Sequence, residues 1–148
     1  QKLLNNARDL EIPILKVLQK MEQNGIKVDN SFLEDFKKEV ETDLNQLTQT
    51  IYTIAGHKFN INSTKQLGVV LFDELDLQII KKTKTGYSTD EKVLNALKDD
   101  HEIIVKLLEY RELFKLFSTY IKPLLTLSKL NDDHKIFTSF IQTGTATG

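Results

Sequence analysis

Apolar positions in this chain recur mostly at steps of three and four, the repeat of an α-helix that buries one face. Phe32, Phe36, Val40, Leu44, Leu47, Ile51 and Ile54 form the longest such series. The series predicts a helix from about Ser31 to Ala55, stopped by Gly56, which at 1.5 Å per residue is a rod of roughly 37 Å. A rod with one apolar face needs a partner of similar length. Ile104, Leu107, Leu108, Leu113, Phe114, Leu116, Phe117, Tyr120, Ile121 and Leu124 supply it, over His101 or Ile103 to about Leu127.

Shorter patterns fill the rest. A first helix is expected near Glu11-Ile12-Pro13, with proline in the first turn, an apolar stripe of Ile14, Leu15, Leu18 and Met21, and a stop at Gly25. Ile26-Lys27-Val28 reads as a short extended piece. Between the long helices, Ser63-Thr64-Lys65-Gln66 and Ser88-Thr89-Asp90-Glu91 both have capping-box spacing. The first precedes Leu67, Val70, Leu71 and Leu75; the second precedes Val93, Leu94 and Leu97. After Pro123 and the polar turn Asn131-Asp132-Asp133, alternation over 135–141 predicts a β-strand. The fold expected is mainly α: a long antiparallel helical pair with a small two-helix tip, plus a short C-terminal β-strand segment.

Composition narrows the chemistry. At 148 residues, with 40% hydrophobic and 28% charged residues, the chain suits one globular domain rather than a disordered segment. No apolar run approaches the roughly 20 residues that span a bilayer. There is no cysteine, so disulfide and thiolate-metal chemistry are excluded. His57, His101 and His134 are scattered, Asp132-Asp133 is a turn pair, and no metal site is predicted. Gly144 to Gly148 imitates half of a phosphate-binding loop but lacks the Lys-Ser/Thr that completes one. A net charge of −1 argues against a uniformly basic surface yet allows a local basic patch, because screening over roughly 10 Å makes local charge decisive.

Two features could form that patch. Helix N-termini present unpaired N–H groups and partial positive charge, which suit phosphate. Asn60, Asn62 and Ser63 lie beside one predicted start, Ser88 and Thr89 beside the other, and Lys81, Lys82 and Lys84 in the loop between. Such donors are what sequence-independent DNA binding uses. Capping and a solvated loop would account for the same residues. On the second long helix, Arg111, Lys115, Ser118 and Lys122 fall at steps of four, three and four, with Glu109 and Glu112 expected to point elsewhere. This stripe can follow a phosphate backbone or be an ordinary solvated face.

Runs of these residues, in order, resemble the thumb of family A DNA polymerases, the bacterial DNA polymerase I type. They are Met21-Glu22, Asn24 to Asp29, Phe59 to Leu67, Val70 to Leu75, Lys82 to Thr89, Tyr110 to Leu113, Lys115-Leu116, Ser118 to Tyr120, and Thr145 to Gly148. The similarity extends from about Leu10 onward, and the compact loop between Leu77 and Ser88 fits the bacterial replication and repair type.

The resemblance implies a thumb that grips the minor-groove side of a primer–template duplex. Asn60, Asn62 and Ser63 match its phosphate-binding helix start. Lys82, Lys84, Ser88 and Thr89 match its tip loop, Arg111 and Lys115 its duplex-facing basic residues, and Thr145 and Thr147 the entry to the palm near the primer terminus. Phe117, Phe137 and Ile141 depart from polar or basic residues common in the family. The implied organisation is a lead-in over 1–28, a thumb over 29–130 with its tip at about 57–100, and a truncated palm start over 131–148, left without its strand neighbours.

Gln1 is not methionine and the last residues read as the opening of a longer site, so a fragment is expected. No catalytic residue falls within it and no cofactor is expected to bind to it. The two Mg²⁺ ions of nucleotidyl transfer would belong to the parent enzyme. Implied partners are primer–template DNA and the remaining palm and fingers, with no membrane, in a bacterial cytoplasm at the nucleoid. A helical-hairpin module for protein–protein contact is the alternative reading.

Overall fold

The structure, a computed structural model, describes residues 2–84, 86–141 and 144. It is mainly helical. In chain order it contains α1 (Lys2–Asn6), α2 (Ile12–Asn24), β1 (Ile26–Lys27), α3 (Asn30–Ala55), α4 (Thr64–Val69), β2 (Lys82–Thr83) and β3 (Gly86–Tyr87). Then follow α5 (Glu91–Ala96), α6 (Glu102–Lys115), α7 (Lys122–Ser128) and β4 (Lys135–Ile136). Wide π-helical turns occupy Ala7–Glu11, Val70–Glu74 and Leu116–Ile121.

Two of those turns have one cause. Pro13 is the second residue of α2 and Pro123 the second of α7, and each follows a π-helical stretch directly. Proline has no N–H for the i−4 carbonyl and its ring crowds that turn, so the backbone widens instead of breaking. The first helical run accordingly begins at Lys2, earlier than the start expected at Glu11 to Pro13, and the second long run is helical from Glu102 to Ser128. The turn at Val70–Glu74 is a helix end, where Leu75 N–H reaches Val70 O and Leu77 N–H reaches Leu71 O.

The chain divides into two compact units, residues 1–34 with 123–148, and residues 35–122. In the second unit α3 buries Val40, Leu44 and Ile51, three members of the predicted seam. In the tip Leu67, Leu71, Leu94 of α5 and Leu97 just past its end are all at 0% exposure, as are Ile103, Ile104 and Leu107 of α6. Phe117 is buried here too, so its departure from a basic residue serves the core. Asp43, Gln46 and Thr50 of α3 share a groove with Lys106, Glu109 and Leu113 of α6.

The first unit is put together differently. Phe32, expected in the seam, is 66% exposed, and α2 buries no residue. At the start of α3, Asn30 Oδ1 accepts from the Ser128 hydroxyl, and Glu34 pairs with Lys129.

The predicted C-terminal strand is shorter than 135–141, and it has a neighbour. β4 pairs antiparallel with β1, Ile26 opposite Ile136 and Lys27 opposite Lys135. The expectation that it had lost its neighbours is therefore corrected for these residues. Gly25 makes the close approach possible: its φ is +67°, and a Cβ there would lie 2.8 Å from the Phe137 ring and 3.1 Å from Ile136 O. Among the described residues no helix is long and apolar enough to cross a membrane.

Candidate nucleic-acid interface

The loop entering α4 is built from its own polar side chains. Ser63 is in an extended conformation and caps the helix, its hydroxyl accepting from Gln66 N–H at 3.4 Å. Gln66 does not close the capping box by returning to Ser63. Its Oε1 instead accepts from Asn60 N–H at 2.7 Å, and Asn60 Oδ1 accepts from Asn62 N–H at 3.0 Å. The Asn62 amide donates to the Tyr110 hydroxyl at 3.1 Å, which ties this loop to α6. Asn60, Asn62 and Ser63 thus shape the loop that presents Thr64 and Lys65.

Across from it stands the lysine hairpin, with Lys82 opposite Tyr87 and Thr83 opposite Gly86. Lys82 and Lys84 are exposed. Thr83 Oγ1 donates to Gly86 O at 3.0 Å, and Ser88 N–H continues the pairing to Lys81 O at 3.0 Å. Lys81 forms an ion pair with Asp90 at 3.0 Å.

The start of α5 corrects one expectation. Asp90, rather than Ser88, is the cap, its Oδ1 accepting from Val93 N–H at 2.9 Å. A carboxylate makes the stronger, charge-assisted bond, and the Ser88 hydroxyl donates to Asp90 Oδ2 at 2.9 Å. The Val93 N–H, then Lys81 and Ser88, hold the Asp90 carboxyl at about 2, below its ordinary 3.8. Ser88 and Thr89 are buried, 5% and 4% exposed, so they form the floor of the site rather than a cap.

Arg111 reaches that floor from α6. Its guanidinium donates to the Thr89 carbonyl and, at 3.2 Å, to the Thr89 hydroxyl. Burial pulls its pKa below the ordinary 12.5, opposed by the charges of Asp90 and Glu91. Around these groups opens a cleft of about 800 Å³, lined by Thr64 and Lys65 on one side, Thr83 and Tyr87 on another, and Thr89 and Arg111 below.

Of the predicted residues, Ser88, Thr89 and Arg111 line this cleft directly. Lys82 and Lys84 belong to the hairpin that forms one wall, Ser63 caps the helix that forms another, and Asn60 and Asn62 support that helix's entry loop. Thr145 and Thr147 lie outside the described residues.

Lys115 is exposed in a neighbouring groove with Arg111, Glu91, Glu109 and Glu112. The predicted stripe therefore runs beside acids that were expected to point elsewhere. Glu112 precedes Lys115 by three residues, which makes them surface neighbours on a helix. Further along, the wide turn at Leu116–Ile121 shifts the helical phase. Ser118 donates to its own helix at Phe114 O, and Lys122 lies 4.5 Å from the Phe117 ring.

Sequence reasoning missed Lys65, Tyr87 and Asp73. Lys65 was visible as a cation in the first turn after a cap, and Tyr87 as an aromatic among lysines. Nothing local marked Asp73, whose carboxylate accepts from the Tyr87 hydroxyl at 2.5 Å. Among the described residues no group of three or more His, Asp or Glu could hold a metal ion.

Comparison with known proteins gives one consistent result. The chain is 50% identical over 146 residues to DNA polymerase I of Helicobacter pylori and 49% identical over 140 residues to that of Caldicellulosiruptor bescii. With DNA polymerase I of Bacillus subtilis it shares 45% identity over its full length. The alignments cover 95–100% of this chain but only 16–17% of those proteins, so the chain spans about a sixth of the relatives it matches. It also superposes on the POL domain of Pol1 from M. smegmatis in complex with DNA primer-template and dNTP. That match has a TM-score of 0.80 and 38% identity, covering 93% of this chain and 24% of that one. The family model described as DNA polymerase family A matches residues 30–148, and the chain belongs to that family.

Proposed function

We propose that this chain is the duplex-gripping thumb, with the entry to the palm, of a DNA-directed DNA polymerase that works in replication and repair. It holds primer–template DNA by its phosphates, from the minor-groove side, and keeps the polymerase on its template. The observation that carries the reading is the convergence of Thr64 and Lys65, the Lys82–Lys84 hairpin and Arg111 on one cleft. The likeness to a polymerase domain bound to primer-template supports it.

Within that reading the work divides by accessibility. Exposed Lys65, Lys82 and Lys84 meet phosphates, with Lys115 further along α6. Arg111 holds the Thr89 segment in place and offers its remaining N–H groups to the cleft. Thr145 and Thr147 are assigned to the primer side. Two Mg²⁺ ions and their carboxylates serve nucleotidyl transfer in the whole enzyme, and no residue described here is assigned to them. The chain alone is expected not to extend a primer.

The test is binding of the chain to a fluorescently labelled duplex, followed by anisotropy as salt is raised. Log affinity is expected to fall linearly with log salt, by about 0.9 per phosphate contact, with little dependence on base sequence. No binding at the lowest salt, or a concentration-dependent oligomer with no preference for duplex, would instead favour the protein–protein module.

A further inference from the structure

Strands of two residues do not hold themselves in place, since even a longer isolated hairpin is marginal in water. The lysine hairpin nevertheless forms one wall of the cleft, so something outside it must fix its position. Lys81 and Ser88 bond to Asp90 at its base, and Tyr87 connects its strand pair to α4 and the turn that follows. Its ring lies 5.0 Å from that of Phe72, which is itself buried, and its hydroxyl donates to Asp73 at 2.5 Å. Its Cβ sits so close to α4 that a Cβ on Gly68 would come within 3.2 Å of it. The Lys82 ammonium lies 5.6 Å from the same ring, and Lys82 is also the register partner of Tyr87.

We infer that Tyr87 is the positioning residue of the lysine hairpin: seated against Phe72, Gly68 and Asp73, it sets Lys82 and Lys84 at the mouth of the cleft. The inference rests on the duplex-gripping reading and deepens it by naming what makes the grip rigid. A cation whose backbone is already ordered loses less freedom when it meets a phosphate. Lys82 is steadied twice, through the strand pair and through attraction to the ring face. A Cβ on Gly68 would press on Tyr87, so the small residue gives the ring its seat against α4. The bond to Asp73 raises the pKa of the Tyr87 hydroxyl above its ordinary 10, so it remains a donor through the neutral range.

The test uses the full chain and a labelled DNA duplex, with four variants: Tyr87→Phe, Tyr87→Ala, the pair Lys82→Ala with Lys84→Ala, and all three alanine changes together. Each is read by the salt slope of binding and by hydrogen exchange at Ser88 N–H, which bonds to Lys81 O. The lysine pair is expected to lower the slope by about 2, at roughly 0.9 per lost contact. Tyr87→Ala is expected to lower it by a similar amount although it removes no charge, and to speed exchange at Ser88. Adding it to the lysine pair should change binding no further, since coupled residues are non-additive.

Tyr87→Phe, which keeps the ring, should retain most of the slope and fold normally. A wild-type slope in Tyr87→Ala, or a loss of equal size with and without the lysines, overturns the inference. If the wild-type chain fails to bind duplex, the duplex-gripping reading falls, and the Ser88 exchange rate in Tyr87→Ala still decides whether Tyr87 holds the hairpin.

Discussion

The two units of this chain bury apolar residues to different extents: among the described residues the second buries many, while the first buries Leu125 and leaves α2 exposed. In residues 35–122, Leu67, Leu71, Leu94, Leu97 and Leu107 are fully buried. In residues 1–34, most of the apolar stripe of α2 stays uncovered, with Ile14 at 41% exposure, Leu15 at 51% and Met21 at 47%, and Leu18 half-buried. A well-packed tip keeps its surface groups in fixed relation, and that is what a site made of loops and single side chains needs. The cleft, the lysine hairpin and Arg111 all belong to the unit with the core.

The contrast predicts its largest effect in the core. Leu94→Ala should cost about 2–5 kcal/mol in denaturant unfolding, as cavity-forming substitutions do, while Leu15→Ala should change stability by no more than about 0.5 kcal/mol. Equal losses would erase the distinction between the units. Next comes charge. Removing Lys82 and Lys84 together should weaken duplex binding about tenfold near 0.2 M salt, while removing Lys16 and Lys20 from α2 should leave it nearly unchanged. A matching loss from α2 would move the interface to the first unit.

Acid titration sharpens the same comparison. The folded Asp90 carboxyl sits at about 2 against an ordinary 3.8. Its contribution to stability is therefore complete above about 4 and is lost as pH falls from there towards 2. Melting temperature followed over that range should fall less steeply in Asp90→Asn than in the parent chain. His57 has the opposite sign. Its bond to Glu74 at 2.7 Å, then its contact with Lys58 O, raise its pKa above 6.5. Its contribution is full below 6.5 and fades as pH rises through the raised value, and His57→Gln should remove that dependence.

The last effect belongs to the strand pair of the first unit. Gly25→Ala forces a left-handed residue against Phe137 and should cost about 1–2 kcal/mol. It should do so without altering duplex affinity, measured beside its thermal melt.

Much of this was legible in the spacing of residues. The seam of α3 identified Val40, Leu44 and Ile51, and the tip helices identified Leu67, Leu71, Leu94 and Leu97. Local pattern failed where distant contacts decide. Ser88, Thr89 and Asp90 all offer a capping oxygen. Asp90 is chosen because Ser88 and Lys81 also bond to it. The prolines were read as a start and a boundary, but the structure resolves their strain by widening the turn. Tyr87 stood in plain view, yet its seat comes from Gly68, Phe72 and Asp73 on other elements. The pairing of β4 with β1 joins opposite ends of the chain, which alternation alone cannot specify.

The most direct measurement is backbone NMR of the isotope-labelled chain titrated with a DNA duplex at low salt. Shifts concentrated at Thr64, Lys65, Lys82, Lys84, Gly86 and Arg111, fading together as salt is added, are the predicted result. Shifts confined to α2 and the β1–β4 pair, with the tip unmoved, would contradict the account.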